Sequence, residues 1–202
     1  MTFSLCFSSY LRIQMKENHK SWKNEEGYKS SSLITMATVK KSRRKTRQCL
    51  FQALYSCVYL QDTFEINWFM ESFYDEEFAW SVDEEYFKEV FSWIQDKENE
   101  LIYLVNRFAP KFDIHSMPVI NLIPVFIASY EMLFLKCDVV PYKVSIDEAL
   151  ELTKTYSDDN WRILVNGILN SLKDSKEQVI KEMKEIKDDK RYLFNKNIWK
   201  KW

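Results

Sequence analysis

Four cations, Arg43, Arg44, Lys45 and Arg47, fall within five residues, and no acid accompanies them between Met36 and Leu60. Arginine offers a planar fork that matches phosphate and a face that stacks on bases, while glutamine can read a base edge. Gln48 and Gln52 follow at spacings that place them on a similar helix face. The combination suits single-stranded RNA; a solvated basic helix start is the plainer use of the same residues. From Gln61 to Glu100 thirteen acids stand against Lys88 and Lys97, so a formal net charge of −1 hides a basic block beside an acidic body. Such asymmetry points to a nucleic-acid or phosphate contact at one end of the molecule.

Catalytic chemistry finds little support. The acid pairs Glu84/Glu85 and Asp158/Asp159 read as helix-start residues, favoured there by the helix dipole, rather than as general acids. His19 and His115 are the two histidines. A Ser-His-Asp set would rest on His115, in the exposed loop expected at Asp113-Ile-His-Ser. Cys6, Cys49, Cys57 and Cys137 show no CxxC spacing. Neither a zinc site nor a disulfide framework is therefore expected; small core hydrophobes in a reducing cytoplasm are. The two glycines, Gly27 and Gly167, are too few for a glycine-rich phosphate loop or a dinucleotide fingerprint. The sequence thus reads as a binding protein without catalytic residues, metal or cofactor.

The elements that must position these residues are helical. Two glycines and four prolines in 202 residues cannot supply the many tight turns of a sandwich or barrel, which makes an all-α chain the expectation. A helix from about Ser42 carries one apolar stripe, Leu50, Phe51, Leu54 and Val58. Others are expected over Glu65–Phe73 and, capped by Asp83, over Asp83–Phe108. Met117 to Leu135 is almost free of charge and about long enough to span a bilayer. Asn121, Pro124 and Glu131 interrupt it, so a buried central helix, kinked or started at Pro124, is the better reading. Pro141 stops that helix, and Ser145 with Glu148 forms an S-x-x-E capping box for the next. Asp158 or Asp159 then caps a helix carrying Trp161, Leu164, Val165, Ile168, Leu169 and Leu172. Residues 1–38 are expected to be a disordered extension or the product of a start codon placed too early. Residues 173–202 read as an amphipathic helical tail packed on the body.

Three segments together resemble the NusB family of bacterial transcription antitermination factors. Arg43-Arg-Lys-Thr-Arg-Gln-Cys-Leu-Phe-Gln-Ala-Leu-Tyr55 is similar to the family's arginine-rich first helix and its QALY run. Val140-Pro-Tyr-Lys-Val-Ser-Ile-Asp-Glu-Ala-Leu-Glu-Leu-Thr-Lys154 matches the VPYKVAINEAxELAK signature, and Val165-Asn-Gly-Ile-Leu169 matches VNGVL. Asp83-Glu-Glu-Tyr-Phe-Lys-Glu and Ser129-Tyr-Glu-Met fall in the expected order between them. The resemblance implies two packed small helical bundles, with residues 39–172 as an RNA-binding domain. It further implies a cytoplasmic monomer or homodimer that joins the RNA polymerase antitermination complex. There it would bind single-stranded boxA-type RNA of ribosomal RNA transcripts with the ribosomal protein NusE.

Carried over by position, Arg43, Arg44, Lys45, Arg47, Gln52, Phe108, Asn160, Arg162 and Leu164 would face RNA, and Tyr55 and Asn121 would face NusE. The second RNA patch departs from the family. Asn160 stands at the acidic position, Ile163 at the basic one, with Arg162 adjacent, and Leu164 at the phenylalanine. Losing that ring removes a stacking surface worth about 1–3 kcal/mol per base. Asn121 and Phe126 likewise replace an acid and an arginine, which weakens charge complementarity to a partner. Two alternatives follow: a diverged helical interaction module without boxA specificity, or an accessory domain of RNA modification.

Overall fold

Ser42 opens the first helix, its hydroxyl accepting from the Lys45 amide at 3.4 Å, and α1 then runs Arg43–Leu60. This computed structural model describes residues 41–72, 81–114, 117–135, 140–186 and 193–194. The extension expected over 1–38, both histidines, Cys6, Cys137 and parts of the tail lie outside those residues. Helix α1 is buried on more than the expected stripe: Cys49, Ala53, Tyr55 and Cys57 join Leu50, Phe51 and Leu54 inside. The reason is that α1 is wedged between two other helices rather than laid on one.

After a 3-10 turn over Gln61–Thr63, α2 (Ile66–Ser72) follows. Phe64 meets Phe69 of α2 and, further along the chain, Phe91, at ring separations of 5.8 and 6.1 Å. Helices α3 (Glu84–Asp96) and α4 (Glu98–Phe108) replace the single helix expected from Asp83 to Phe108. Lys97, at φ −109 and ψ 26, breaks them apart. The break lets α3 stay against α1 while α4 turns onto the helix near the C-terminal end. Asp83 caps α3 as expected, accepting from the Tyr86 amide.

Helix α5 (Val119–Leu133) is the centre of the molecule, and every residue from Asn121 to Leu133 is buried. Its charge-poor sequence reflects burial by other helices. Among the described residues no helix is long and apolar enough to cross a membrane. Pro124 lies inside α5, and Pro118 rather than Pro124 flanks its start. Helix α6 (Tyr142–Tyr156) corrects the expected capping box. Pro141, with φ −57, already holds the cap position and pre-sets the chain for helix entry, so Ser145 is buried one turn inside. Asp158 does cap α7 (Asp159–Asp174), accepting from the amides of Asn160 and Trp161 at 2.9 and 3.2 Å.

Two small bundles result. Helices α1 and α3 pack with α5 on one side; α6 and α7 pack with α5 on the other, and α4 lies against α7. Among the described residues there is no strand. Helix α8 (Lys176–Met183) lies on α4 and α7, burying Val179 and Met183, and its Glu182 meets Tyr103 and Arg107. Further along, Phe194 is buried, and the amides of Leu193 and Phe194 both donate to the buried Glu98 carboxylate.

Candidate nucleic-acid interface

The basic start of α1 sits where three helices meet. The Ser42 amide donates to the Ser81 carbonyl at 2.7 Å, and the Asp83 amide donates to the Thr46 hydroxyl at 2.9 Å. These bonds tie the beginning of α1 to the beginning of α3. No acid occupies the first turn of α1. Its dipole therefore adds to the side-chain cations instead of being offset by a carboxylate at that end.

The cations divide by depth. Arg44 is open, with 60% of its side chain exposed, and reaches Glu151 of α6 at 3.5 Å. Lys41 is exposed and Lys45 half-buried at the same end. Arg43 lies over the Tyr86 ring, 4.3 Å from its centroid, and pairs with Asp83 at 3.5 Å. Arg47 departs from the expectation altogether. It is 5% exposed, with Nε donating to Glu131 at 2.7 Å and Nη1 lying 3.7 Å from Glu148. In this structure the Arg47 guanidinium is enclosed and held in a structural ion pair, whereas the sequence suggested an RNA-facing position.

Tyr86 completes that buried cluster by donating its hydroxyl to the same Glu131 oxygen. Burial alone would lower the Arg47 pKa. The hydrogen bond and charge of Glu131, helped by Tyr86 and Glu148, outweigh it and leave the pKa raised. Burial, followed by the Glu131 charge, holds the Tyr86 hydroxyl well above its ordinary range. Both groups therefore keep their protons at neutral pH. The cluster joins α1 and α3 to α5 and α6, a buried polar contact between the two bundles. Glu131 was visible in the sequence as the one acid of an apolar helix, and a buried carboxylate requires a partner.

Further along α1, Gln52 donates to the Tyr156 hydroxyl at 3.1 Å, and Tyr156 stacks on Phe51 at 4.2 Å. This places the α6–α7 turn beside α1 and brings the second expected patch to the same side as Gln52. Asn160 is exposed, Arg162 pairs with Asp159 at 2.9 Å, and Leu164 is half-buried against the core. Ile163 points out, 74% exposed, where a charged side chain would be at home. Phe108 ends α4 half-buried, with the Arg107 guanidinium 5.5 Å from its ring centre.

The residues expected to face a protein partner are interior. Tyr55 is 2% exposed and lies against Phe51 and Tyr59; Tyr59, one turn later, is the ring at the surface. Asn121 is buried, and neither amide atom has a hydrogen-bond partner among the described residues. Neither side chain is at the surface of this structure, whereas the sequence suggested positions facing a partner. The helix periods that bury Leu54 and Leu122 carry these two inward with them.

The NusB family model matches residues 44–174, from the open arginine of α1 to the end of α7. The chain belongs to the NusB family. It is similar to the transcription antitermination protein NusB of Shewanella pealeana, 36% identical over 130 residues that cover 64% of this chain and 93% of the relative. The protein of the same name from Herpetosiphon aurantiacus is 28% identical over 140 residues, covering 69% of this chain and 94% of that protein. Among solved structures, T. maritima NusB superposes with a TM-score of 0.58 at 27% identity, covering 73% of this chain and all of the other. The family match ends at the close of α7, so α8 and Phe194, which reaches back to Glu98 inside the match, lie beyond it.

Proposed function

We propose that this chain is a transcription antitermination factor that binds single-stranded boxA-type RNA of ribosomal RNA transcripts, together with the ribosomal protein NusE, in the cytoplasm. The observation that carries the reading is the start of α1. Arg44 and Lys45 open an uncapped-by-acid helix end and lead along the same face to Gln48 and Gln52. Lysine and arginine there hold backbone phosphates, and Gln48 offers an amide that can meet a base edge, while Gln52 would first have to leave Tyr156. Asn160, Arg162 and Leu164 at the start of α7, with the half-buried Phe108, are assigned as weaker contributors. Tyr59 is the exposed ring on the side assigned to NusE. Binding rather than catalysis is the role, within an RNA polymerase antitermination complex.

Anisotropy titration of labelled boxA-type RNA, with and without NusE, tests this reading. Preference for boxA-type over scrambled RNA, strengthened by NusE, is the expected result. A second reading, a helical interaction module without boxA specificity, is favoured by the exposed Ile163 and the ring-less position 164. Equal affinity for scrambled RNA would select it.

A further inference from the structure

The cations at the start of α1 look strongly basic in sequence but are almost fully countered in space. Lys41 and Arg43 share Asp83, at 3.6 and 3.5 Å; Arg47 takes Glu131 and Glu148; Arg44 takes Glu151. These acids are not equivalent. Asp83 is fixed as the cap of α3, and Glu131 is sealed in the interior. Glu151 alone of the four is exposed over half of its side chain, opposite an arginine exposed over 60%. Its pair with Arg44 can open without disturbing the fold.

We propose that Glu151 is an intramolecular stand-in for an RNA phosphate, occupying Arg44 in the free chain and lowering its affinity for every RNA by the same factor. The inference rests on the RNA reading above. A carboxylate presents two acceptor oxygens to a guanidinium much as a phosphate does. The placement is specific. Arg44 and Arg47 are one turn apart on α1, and Glu148 and Glu151 are one turn apart on α6, so the pairs form two rungs between the helices. The inner rung, with Arg47 buried and anchored on Glu131, fixes how α6 lies along α1. Glu151 thus stays beside Arg44 even when the outer rung is open, and competes at high local concentration. An RNA that gains only a phosphate contact must displace it. One that also reaches Gln48 has a further contact to offset the loss. Weak occupancy by unrelated RNA is reduced as a result, by a built-in competitor rather than by a weaker arginine.

The full chain and its Glu151→Gln, Arg44→Ala and Arg44→Ala/Glu151→Gln variants, titrated by anisotropy against boxA-type and scrambled single-stranded RNA over a range of salt, test the proposal. Glu151→Gln should tighten both RNAs by about two- to five-fold at low salt, the range an exposed pair can contribute. It should also steepen the slope of log affinity against log salt by about 0.7, because Arg44 no longer passes from one anion to another. In the Arg44→Ala background the same substitution should give no gain. Unchanged affinity for Glu151→Gln overturns the proposal while leaving the RNA reading intact, provided Arg44→Ala binds more weakly. An equal gain with and without Arg44 also overturns it, since that is a long-range charge effect. Wild-type affinity in Arg44→Ala overturns the RNA reading, and the proposal with it.

Discussion

Replacing Arg47 should damage the fold and not the RNA surface, opposite to what its place in the basic run implies. Arg47→Met removes the only cation within reach of Glu131 among the described residues, yet leaves that carboxylate 4% exposed. Its other oxygen has no hydrogen-bond partner among the described residues, and the Tyr86 hydroxyl that remains on the first is neutral, so the charge is left unpaired. Removing one member of a buried pair in this way costs about 3–5 kcal/mol. In a domain of this size that lowers the melting temperature by about 10 °C. Urea denaturation followed by circular dichroism measures it, with RNA affinity determined on the same folded sample. Arg47→Met/Glu131→Leu should recover most of the loss, because exchanging both charges for apolar groups is close to neutral. A single variant that melts within a degree or two of wild type while losing RNA affinity would refute the reasoning.

Asp158→Ala removes the side chain that accepts from two amides at the start of α7, and should cost about 1 kcal/mol in denaturant titration. Cys49 and Cys57 should resist thiol reagents at pH 8 until the chain is unfolded, because burial pushes each thiol from 9.0 up to about 12. Since the folded pKa is the higher one, the stability linked to these thiols is complete below pH 9.0 and is lost as pH rises toward about 12, which thermal melts at alkaline pH will show. Phe194→Ala should destabilise by about 3–5 kcal/mol although it lies beyond the family match, because its ring is buried.

Much of the fold was legible because local chemistry decided it. Asp83 and Asp158 cap helices where the sequence placed them, and the apolar periods of α1 and α7 face the core. Local signals failed where a distant residue settled the outcome. The Ser145/Glu148 pattern satisfies a capping box, but Pro141 had already begun the helix, and Glu148 is turned toward Arg47. Within the basic run nothing distinguishes Arg47 from Arg44; its partner Glu131 lies 84 residues away in sequence. The same holds for Tyr55 and Asn121, whose types suit a surface and whose helix positions bury them. Glu151 carried no signal of its own, because its role depends on how α6 lies along α1.

The proposed division of the basic run into an exposed part that meets RNA and a buried part that holds the fold is tested most directly by the salt dependence of binding. Affinity for boxA-type RNA should be measured between low and physiological salt for the wild-type chain and for Arg44→Ala/Lys45→Ala. Loss of the Lys45 phosphate contact should flatten the slope of log affinity against log salt by about 0.7, Arg44 adding nothing to it because it passes from Glu151 to phosphate, and the melting temperature of the variant should be unchanged. An unchanged slope in a folded double variant would contradict the account and remove the start of α1 from the interface.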